Sequence, residues 1–256
     1  YKRADEFLDE MARADKCGPG SLELNPSMEI PEYTTHEIHS MPGGYVGDPF
    51  AGHMYHAGTD FGAYVDENFQ DGAHRRMAEA AAVPADGKVR RILDIGTSVG
   101  QLATSMKARY PDAEVWGIDV GAPMVRYAHL KAVGMGSEVH FAQRLCEDNG
   151  FPDNHFDIVT SNLLFHDVKT QASIDIINET YRVLRPGGVF SPTDRNDTPK
   201  TAHHKFTWWY NYRWNHEDWL LDWSRVDFPG EMRKAGFDVS EPGGGRLAPK
   251  YVGVKA

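Results

Sequence analysis

Scarcity narrows the chemistry of this chain first. It has only two cysteines, Cys17 and Cys146, and they lie far apart in sequence. A disulfide framework is excluded, and a reducing, cytoplasmic setting is expected. No apolar run approaches the ~20 residues that a membrane-spanning helix needs. Positive charge is also short: 27 Lys and Arg face 37 Asp and Glu, for a net charge of −10. Nucleic acid and anionic membranes are both recognised by clustered Lys and Arg, so neither is an expected partner. Internal repeats and low-complexity tracts are absent as well. What is present is ordinary for a soluble globular protein. At 256 residues, 41% hydrophobic and 25% charged, the chain can bury a substantial core as one large domain, or as one domain with an extension.

The chain changes character along its length. Residues 1–16 read as a helix, with Phe7, Leu8 and Met11 on one side. Residues 17–62 are rich in Gly, Pro, His and Tyr and carry no sustained periodicity, so irregular structure draped over the main domain is expected. A helical pattern resumes at 66–82 and PADGK makes a turn. From residue 89 strands and helices alternate: VRRILDIG a strand, 99–110 a helix, AEVWGIDV a strand, 122–134 a helix, EVHFAQ a strand. HFDIVTSN follows as a strand, 170–184 as a helix and GGVFSPTD as a strand. That order predicts a parallel, doubly wound α/β sheet. A helix at 229–236, then GFDVSEP and APKYVGVKA, suits an antiparallel edge pair at the end.

The first strand runs into Leu93-Asp94-Ile95-Gly96-Thr97-Ser98-Val99-Gly100. A Gly-rich turn between strand and helix lets a ligand approach the backbone near a helix N-terminus. The dinucleotide fingerprint GxGxxG fails here, because Ser98 and Gln101 occupy its second and third glycine positions. The pattern is D-x-G-x-S-x-G. The second strand ends in GID, which places Asp119 where a carboxylate can accept both hydroxyl hydrogens of a ribose. FPDNHFDIVTSN (151–162) and LRPGG (184–188) follow in order.

Taken together, these segments resemble the class I S-adenosylmethionine-dependent methyltransferases, in particular the small-molecule, ubiquinone/menaquinone-methyltransferase-like type. The resemblance covers roughly residues 89–195. Ser98 stands where the family usually has its middle glycine. The family fold implied is a Rossmann-like, doubly wound, seven-stranded sheet, mostly parallel with an antiparallel last strand. Residues 1–82 would be an N-terminal extension or cap packed on the core. Residues 83–256 would be the methyltransferase domain, with a helical lid inserted at about 200–228.

The resemblance also implies site residues. Gly96, Thr97, Ser98 and Gly100 should surround the methionine part of S-adenosylmethionine, with Asp94 orienting its ammonium. Asp119 should hold the ribose and Val120 should lie against the adenine. Many relatives place an adenine-binding Asp where this chain has Leu145, followed by Cys146 and Glu147. The backbone N–H of Cys146 could serve the adenine ring, while an acceptor for its amino group must come from elsewhere. Ser161, Asn162 and Leu163 should pass close to the methionyl amine.

Methyl transfer is an in-line displacement at an already electrophilic sulfonium methyl. The protein therefore mainly supplies alignment and a dry site. His166 is the first candidate for a general base and, with Phe165, for the acceptor site. The histidine pairs His36/His39 and His53/His56 have ligand-like spacing, but no Cys or carboxylate completes a known zinc pattern. No metal is assigned, and these histidines are expected on the surface or lining a pocket.

Five of the six tryptophans fall in KFTWWYNYRWNHEDWLLDW, residues 205–223. As one helix it would carry Trp208, Tyr212, His216 and Trp219 on one arc, with Phe206, Tyr210, Trp214 and Leu221 opposite. Such a helix should be buried on two sides, as a lid between core and acceptor. Trp208, Tyr212, Arg213 and His216 are then the expected acceptor contacts. Arg213 and Glu217 sit among the rings, either paired together or with one reaching into a pocket. A homodimer or partner interface is the competing reading, since Trp, Tyr and Arg are enriched there.

The function expected is methyl transfer to a bulky aromatic or apolar small molecule, O-methylation ahead of N or C, with S-adenosylhomocysteine as product. Two alternatives are carried: the same fold used for non-methylating chemistry, and a cofactor-binding subunit without catalysis.

Overall fold

The computed structural model describes residues 2–58, 71–195, 199–245 and 247–256. Eight strands form one sheet: β1 (Ser21–Glu23), β2 (Arg91–Ile95), β3 (Glu114–Asp119), β4 (His140–Gln143), β5 (Phe156–Asn162), β6 (Leu184–Thr193), β7 (Phe237–Ser240) and β8 (Val252–Lys255). Their order across the sheet is β1-β4-β3-β2-β5-β6-β8-β7. Strands β1 to β6 pair in parallel, and β8 runs antiparallel to both β6 and β7.

The expected seven strands, with an antiparallel last strand, are all present. An eighth, β1, extends the edge beside β4. It lies in the stretch expected to be irregular, and at three residues it is too short to show a period in sequence. The same stretch forms two short helices, α2 (Gly44–Gly47) and α3 (Ala51–Gly58). Ahead of them lies α1 (Ala4–Ala14), tied to the core by an Asp15–Arg126 ion pair at 2.7 Å.

The central strands are buried on both faces, as parallel strands should be. Ile92, Ile158 and Val189 pack on one side, with α4 (Gly72–Ala80), α5 (Gln101–Arg109) and α6 (Ala122–Met135). Their neighbours Leu93, Val159 and Phe190 point the other way. They meet α7 (Thr170–Val183), α9 (Leu220–Trp223) and α10 (Phe228–Ala235). The alternation has period two except at a register shift in β5 between Phe156 and Ile158, and parallel pairing puts the carboxyl ends of β2, β3 and β5 side by side. Ligands of open α/β sheets bind at that edge.

The aromatic stretch is not one helix. It forms α8 (Ala202–Trp214), breaks over 215–219, and resumes as α9. His216 sits at the break with φ 54°, a left-handed conformation uncommon for a residue with a Cβ. Two-sided burial fails too. In α8 Trp208 is 3% exposed, but Trp209 is 50%, Trp214 55% and Phe206 59% exposed.

Candidate active site

At the end of β2 the chain turns through Gly96 and Gly100, both left-handed (φ 61° and 76°). A Cβ on Gly96 would come within 2.8 Å of Leu164, and one on Gly100 within 2.7 Å of Phe141. Ser98, standing where the family favours glycine, is also left-handed at φ 52°. That conformation costs a residue with a Cβ about 1–2 kcal/mol, which is why glycine suits the position. Two carboxylates hold the turn. Asp94, 1% exposed, accepts hydrogen bonds from the Thr97 hydroxyl at 2.7 Å and the Thr160 hydroxyl at 2.9 Å. Burial pushes its carboxyl up to about 7, against the pull of those hydroxyls. Asp119 accepts from the backbone N–H groups of Ser98 and Gly121, both at 2.9 Å.

Beside this turn lies a cleft. Among the described residues, Gly96, Ser98, Asp119, Val120, Cys146, Glu147, Asn162 and Leu163 line its sheet side. The other expected cofactor residues stand behind that wall. Asp94, Thr97 and Ser161 are buried, Gly100 caps α5, and Leu145 does not reach the cleft. Burial raises the Cys146 thiol well above its ordinary value, so it stays protonated and packs. Glu147 accepts from the Tyr33 hydroxyl at 2.7 Å. Three residues lining the cleft carry buried polar atoms without a hydrogen-bond partner: Ser98 Oγ, His36 Nε2 and Asp167 Oδ1. A glycine cradle, a cleft-facing carboxylate and unpartnered polar atoms fit a ligand with sugar and amino-acid groups.

The opposite wall is not built by the lid residues expected there. It comes from the Gly/His/Tyr-rich segment (Tyr33, Thr34, His36, Ile38, Tyr45 and Tyr55), together with Met124, Leu164, Val168 and Ile176. Trp208, Tyr212, Arg213 and His216 do not line the cleft, and neither do Phe165 and His166. Tyr212 and Arg213 face outward on α8 and His216 sits at the helix break, whereas Trp208 is buried with its indole N–H donating to His204. Phe165 is core, stacked on Trp223 at 5.5 Å. Arg213 does not pair with Glu217, lying over the Trp214 ring instead.

One member of the aromatic stretch does reach the site. Glu217 is 1% exposed. It accepts from His39 Nε2 at 3.1 Å and from Arg195 Nη1 at 3.0 Å. His39 in turn meets the cleft-lining Tyr45 hydroxyl at 2.7 Å, and its backbone N–H donates to Asn215 at 2.7 Å. The break after α8 is thus a latch on the cleft's outer wall. His166, 1% exposed, donates from Nδ1 to Asp194 at 2.7 Å. Its Nε2 lies 3.4 Å from Asp167 and 4.0 Å from Glu217. Burial would lower its pKa, but Asp167 and Asp194 outweigh burial and raise it to about 9. His166 therefore belongs to a buried charge cluster, and among the described residues His166, Asp167 and Glu217 converge closely enough to hold a metal ion.

Sequence reading passed over Asp167, Asp194, Tyr33 and Tyr45. Asp167 had a signal, since it directly follows His166 in the chain. Asp194 had only its place at the carboxyl end of β6. The tyrosines had none beyond the composition of their segment.

Comparison with known proteins fits this geometry. Residues 92–188 match the family model described as "Methyltransferase domain". The chain is 39% identical over 113 residues to the demethylmenaquinone methyltransferase of Thermus thermophilus, covering 44% of this chain and 50% of that protein. It is 32% identical over 143 residues to the ubiquinone/menaquinone biosynthesis C-methyltransferase of Desulfotalea psychrophila, covering 55% of each. The chain thus spans about half the length of the curated relatives it matches. In fold it is similar to an S-adenosyl-L-methionine-dependent methyltransferase structure from Methanococcus maripaludis, with a TM-score of 0.58 at 12% identity over 91% of this chain and 98% of that one. Residues 92–188 are thus similar to a methyltransferase domain, and the likeness in fold extends over most of the chain.

Proposed function

We propose that the protein transfers the methyl group of S-adenosylmethionine to a bulky, apolar or aromatic small molecule. The observation that carries this is the two-sided cleft. One wall is the glycine turn with Asp119, and the other is a set of tyrosines and aliphatic side chains.

On the polar wall, Asp119 accepts from the ribose hydroxyls. Each of its oxygens has one backbone partner and keeps a second lone pair. Glu147, already holding Tyr33, takes the adenine amino hydrogen that Leu145 cannot accept. Val120 packs against the adenine face. Ser98, Asn162 and Leu163 flank the methionyl end, and Asp94 keeps the turn in shape through Thr97 and Thr160. The cofactor supplies an electrophilic methyl group when bound.

On the apolar wall, Ile38, Tyr45, Tyr55, Leu164, Val168 and Ile176 exclude water and align the acceptor, which is most of what an in-line displacement requires. A ring of the quinone-precursor type, as named for the relatives, suits that lining. His36 lines the cleft and its shielded Nε2 has no hydrogen-bond partner, so we assign it the acceptor's hydroxyl proton in an O-methylation. His166 is a positioning residue. The described part of residues 1–82 acts as the cap, with Tyr33, Tyr45 and Tyr55 at the site.

The test is turnover with a panel of hydroxylated aromatic and quinol acceptors, counting S-adenosylhomocysteine against methylated product. Equal amounts are expected. Cofactor binding without methylated product would favour a non-catalytic subunit, and no binding at millimolar S-adenosylmethionine would overturn the reading. His36→Ala should lower kcat by about 10²-fold or more if it is the base.

A further inference from the structure

We propose that His166, Asp167 and Glu217 bind one divalent metal ion at a site that opens on the cleft through Asp167. Three donor atoms converge there: His166 Nε2, Asp167 Oδ1 and Glu217 Oε2, with separations of 3.4 Å and 4.0 Å from the imidazole nitrogen. Bonds of roughly 2.0–2.2 Å to such donors put neighbouring ligand atoms about 3.0 Å apart in an octahedron and about 3.4 Å apart in a tetrahedron. The first separation already matches, and with all three atoms within 4.8 Å of one another, Glu217 must rotate toward the ion to close the others.

Ion pairing with His166 draws the two carboxylates together, but no hydrogen bond completes the contact to Asp167. Asp167 Oδ1 is shielded from solvent and has no hydrogen-bond partner, although it lies 3.4 Å from an imidazole nitrogen. The Asp167 side chain is only 11% exposed. Buried carboxylate oxygens are normally satisfied, and an exception calls for a missing ligand.

The surroundings are those of a metal-binding histidine. Its other ring nitrogen donates to the fully buried Asp194 carboxylate at 2.7 Å, which fixes the tautomer that leaves Nε2 free to ligate. Asp194 is itself anchored by the backbone N–H groups of Phe165 and Arg195. Glu217 Oε2 accepts from Arg195 and keeps a second lone pair, while Oε1 is occupied by His39. Metal binding displaces the proton from Nε2, which leaves the three carboxylates Asp167, Asp194 and Glu217 facing the ion and the Arg195 guanidinium.

One imidazole and two carboxylates suit Mn²⁺, Fe²⁺, Co²⁺ or Zn²⁺. Open coordination positions on the cleft side would take an oxygen of the acceptor, holding it and lowering its pKa. That last role rests on the methyl-transfer reading, but ion binding does not.

The experiment is titration of chelator-stripped protein with Mn²⁺, read by electron paramagnetic resonance, and with Co²⁺, read by visible absorption. One ion per chain is expected. Asp167→Asn should weaken binding at least tenfold, and Asp194→Asn by about 10–100-fold. Asp167 Oδ1 has no partner to lose, so Asp167→Asn should keep a native circular dichroism spectrum even if Glu217→Gln does not fold. No binding of either ion at millimolar concentration would overturn the proposal, as would equal affinity in wild type and Asp167→Asn. Loss of ion binding with S-adenosylmethionine binding and turnover intact would sink this site alone. Failure to bind S-adenosylmethionine would sink the methyl-transfer reading alone.

Discussion

Asp119 shows how one side chain can serve both the fold and the ligand. Its two oxygens hold the N–H groups of Ser98 and Gly121 while facing the cleft. Removing the carboxylate with alanine would damage the turn as well as the site, so Asp119→Asn is the cleaner variant. It keeps one acceptor and loses the charge. Charge-assisted hydrogen bonds contribute about 1.5–3 kcal/mol each. S-adenosylmethionine affinity should therefore fall roughly 10–100-fold by calorimetry, with the melting temperature of the cofactor-free protein reduced by only a few degrees. A fall in melting temperature with unchanged affinity would remove Asp119 from the site.

His74 gives the pH dependence a residue-level test. It is 4% exposed, and burial lowers its pKa from 6.5 to about 4. Above pH 6.5 the ring is neutral folded and unfolded, and this contribution is complete. Between pH 6.5 and 4 the unfolded chain takes up a proton that the folded chain refuses, so stability falls with pH. Below 4 the loss is complete, at roughly 3 kcal/mol. Urea melts of wild type and His74→Gln at pH 7 and pH 4.5 should diverge in slope of stability against pH. Parallel losses in the two proteins would show that the acid limb belongs to other groups.

At the scale of elements, the sequence is legible where burial on both faces forces a continuous apolar run. Strands β2 to β6 and helices α5 to α7 could be placed because Leu93, Ile158 and Phe190 sit in short β-branched and aromatic runs between turn residues. The glycine turn was legible for a different reason, since few residues tolerate its backbone. The aromatic stretch misled because a helical wheel presumes a continuous helix. No Gly or Pro marks the break at 215–219. Contacts remote in sequence accompany it: Glu217 reaches His39 and Arg195, and Asn215 accepts from the His39 backbone. The outcome for α8 is testable. Trp209→Ala and Trp214→Ala remove half-exposed rings, and surface changes of this kind usually stay within about 0.5 kcal/mol. Neither should alter KM for the acceptor, whereas Ile38→Ala, in the cleft wall, should raise it. A tenfold rise in KM from Trp209→Ala would restore the lid reading.

Across the whole molecule, the cleft has a rigid wall and a latched one. The rigid wall is the edge of an eight-stranded sheet buried on both faces. The other is a segment of short helices and turns that packs on α6 through Tyr45, Ala51 and Tyr55 and is latched by His39 to Glu217 and Asn215. A ligand touching both walls stabilises the fold by its binding free energy, and it also fixes the segment to the sheet. At a hundredfold excess over Kd, S-adenosylhomocysteine should add about 2.7 kcal/mol. At about 2–4 °C per kcal/mol for a chain of this size, the melting temperature should rise by roughly 5–10 °C. In His39→Ala the latch is gone, and part of the ligand's binding free energy must go to ordering the segment. The shift at the same ligand concentration should then be smaller, and proteolytic cuts within 33–55 should appear in the free protein and fade on ligand addition. An identical shift in both proteins, with no change in cutting, would mean that the segment is fixed by its packing on α6 and not by the latch.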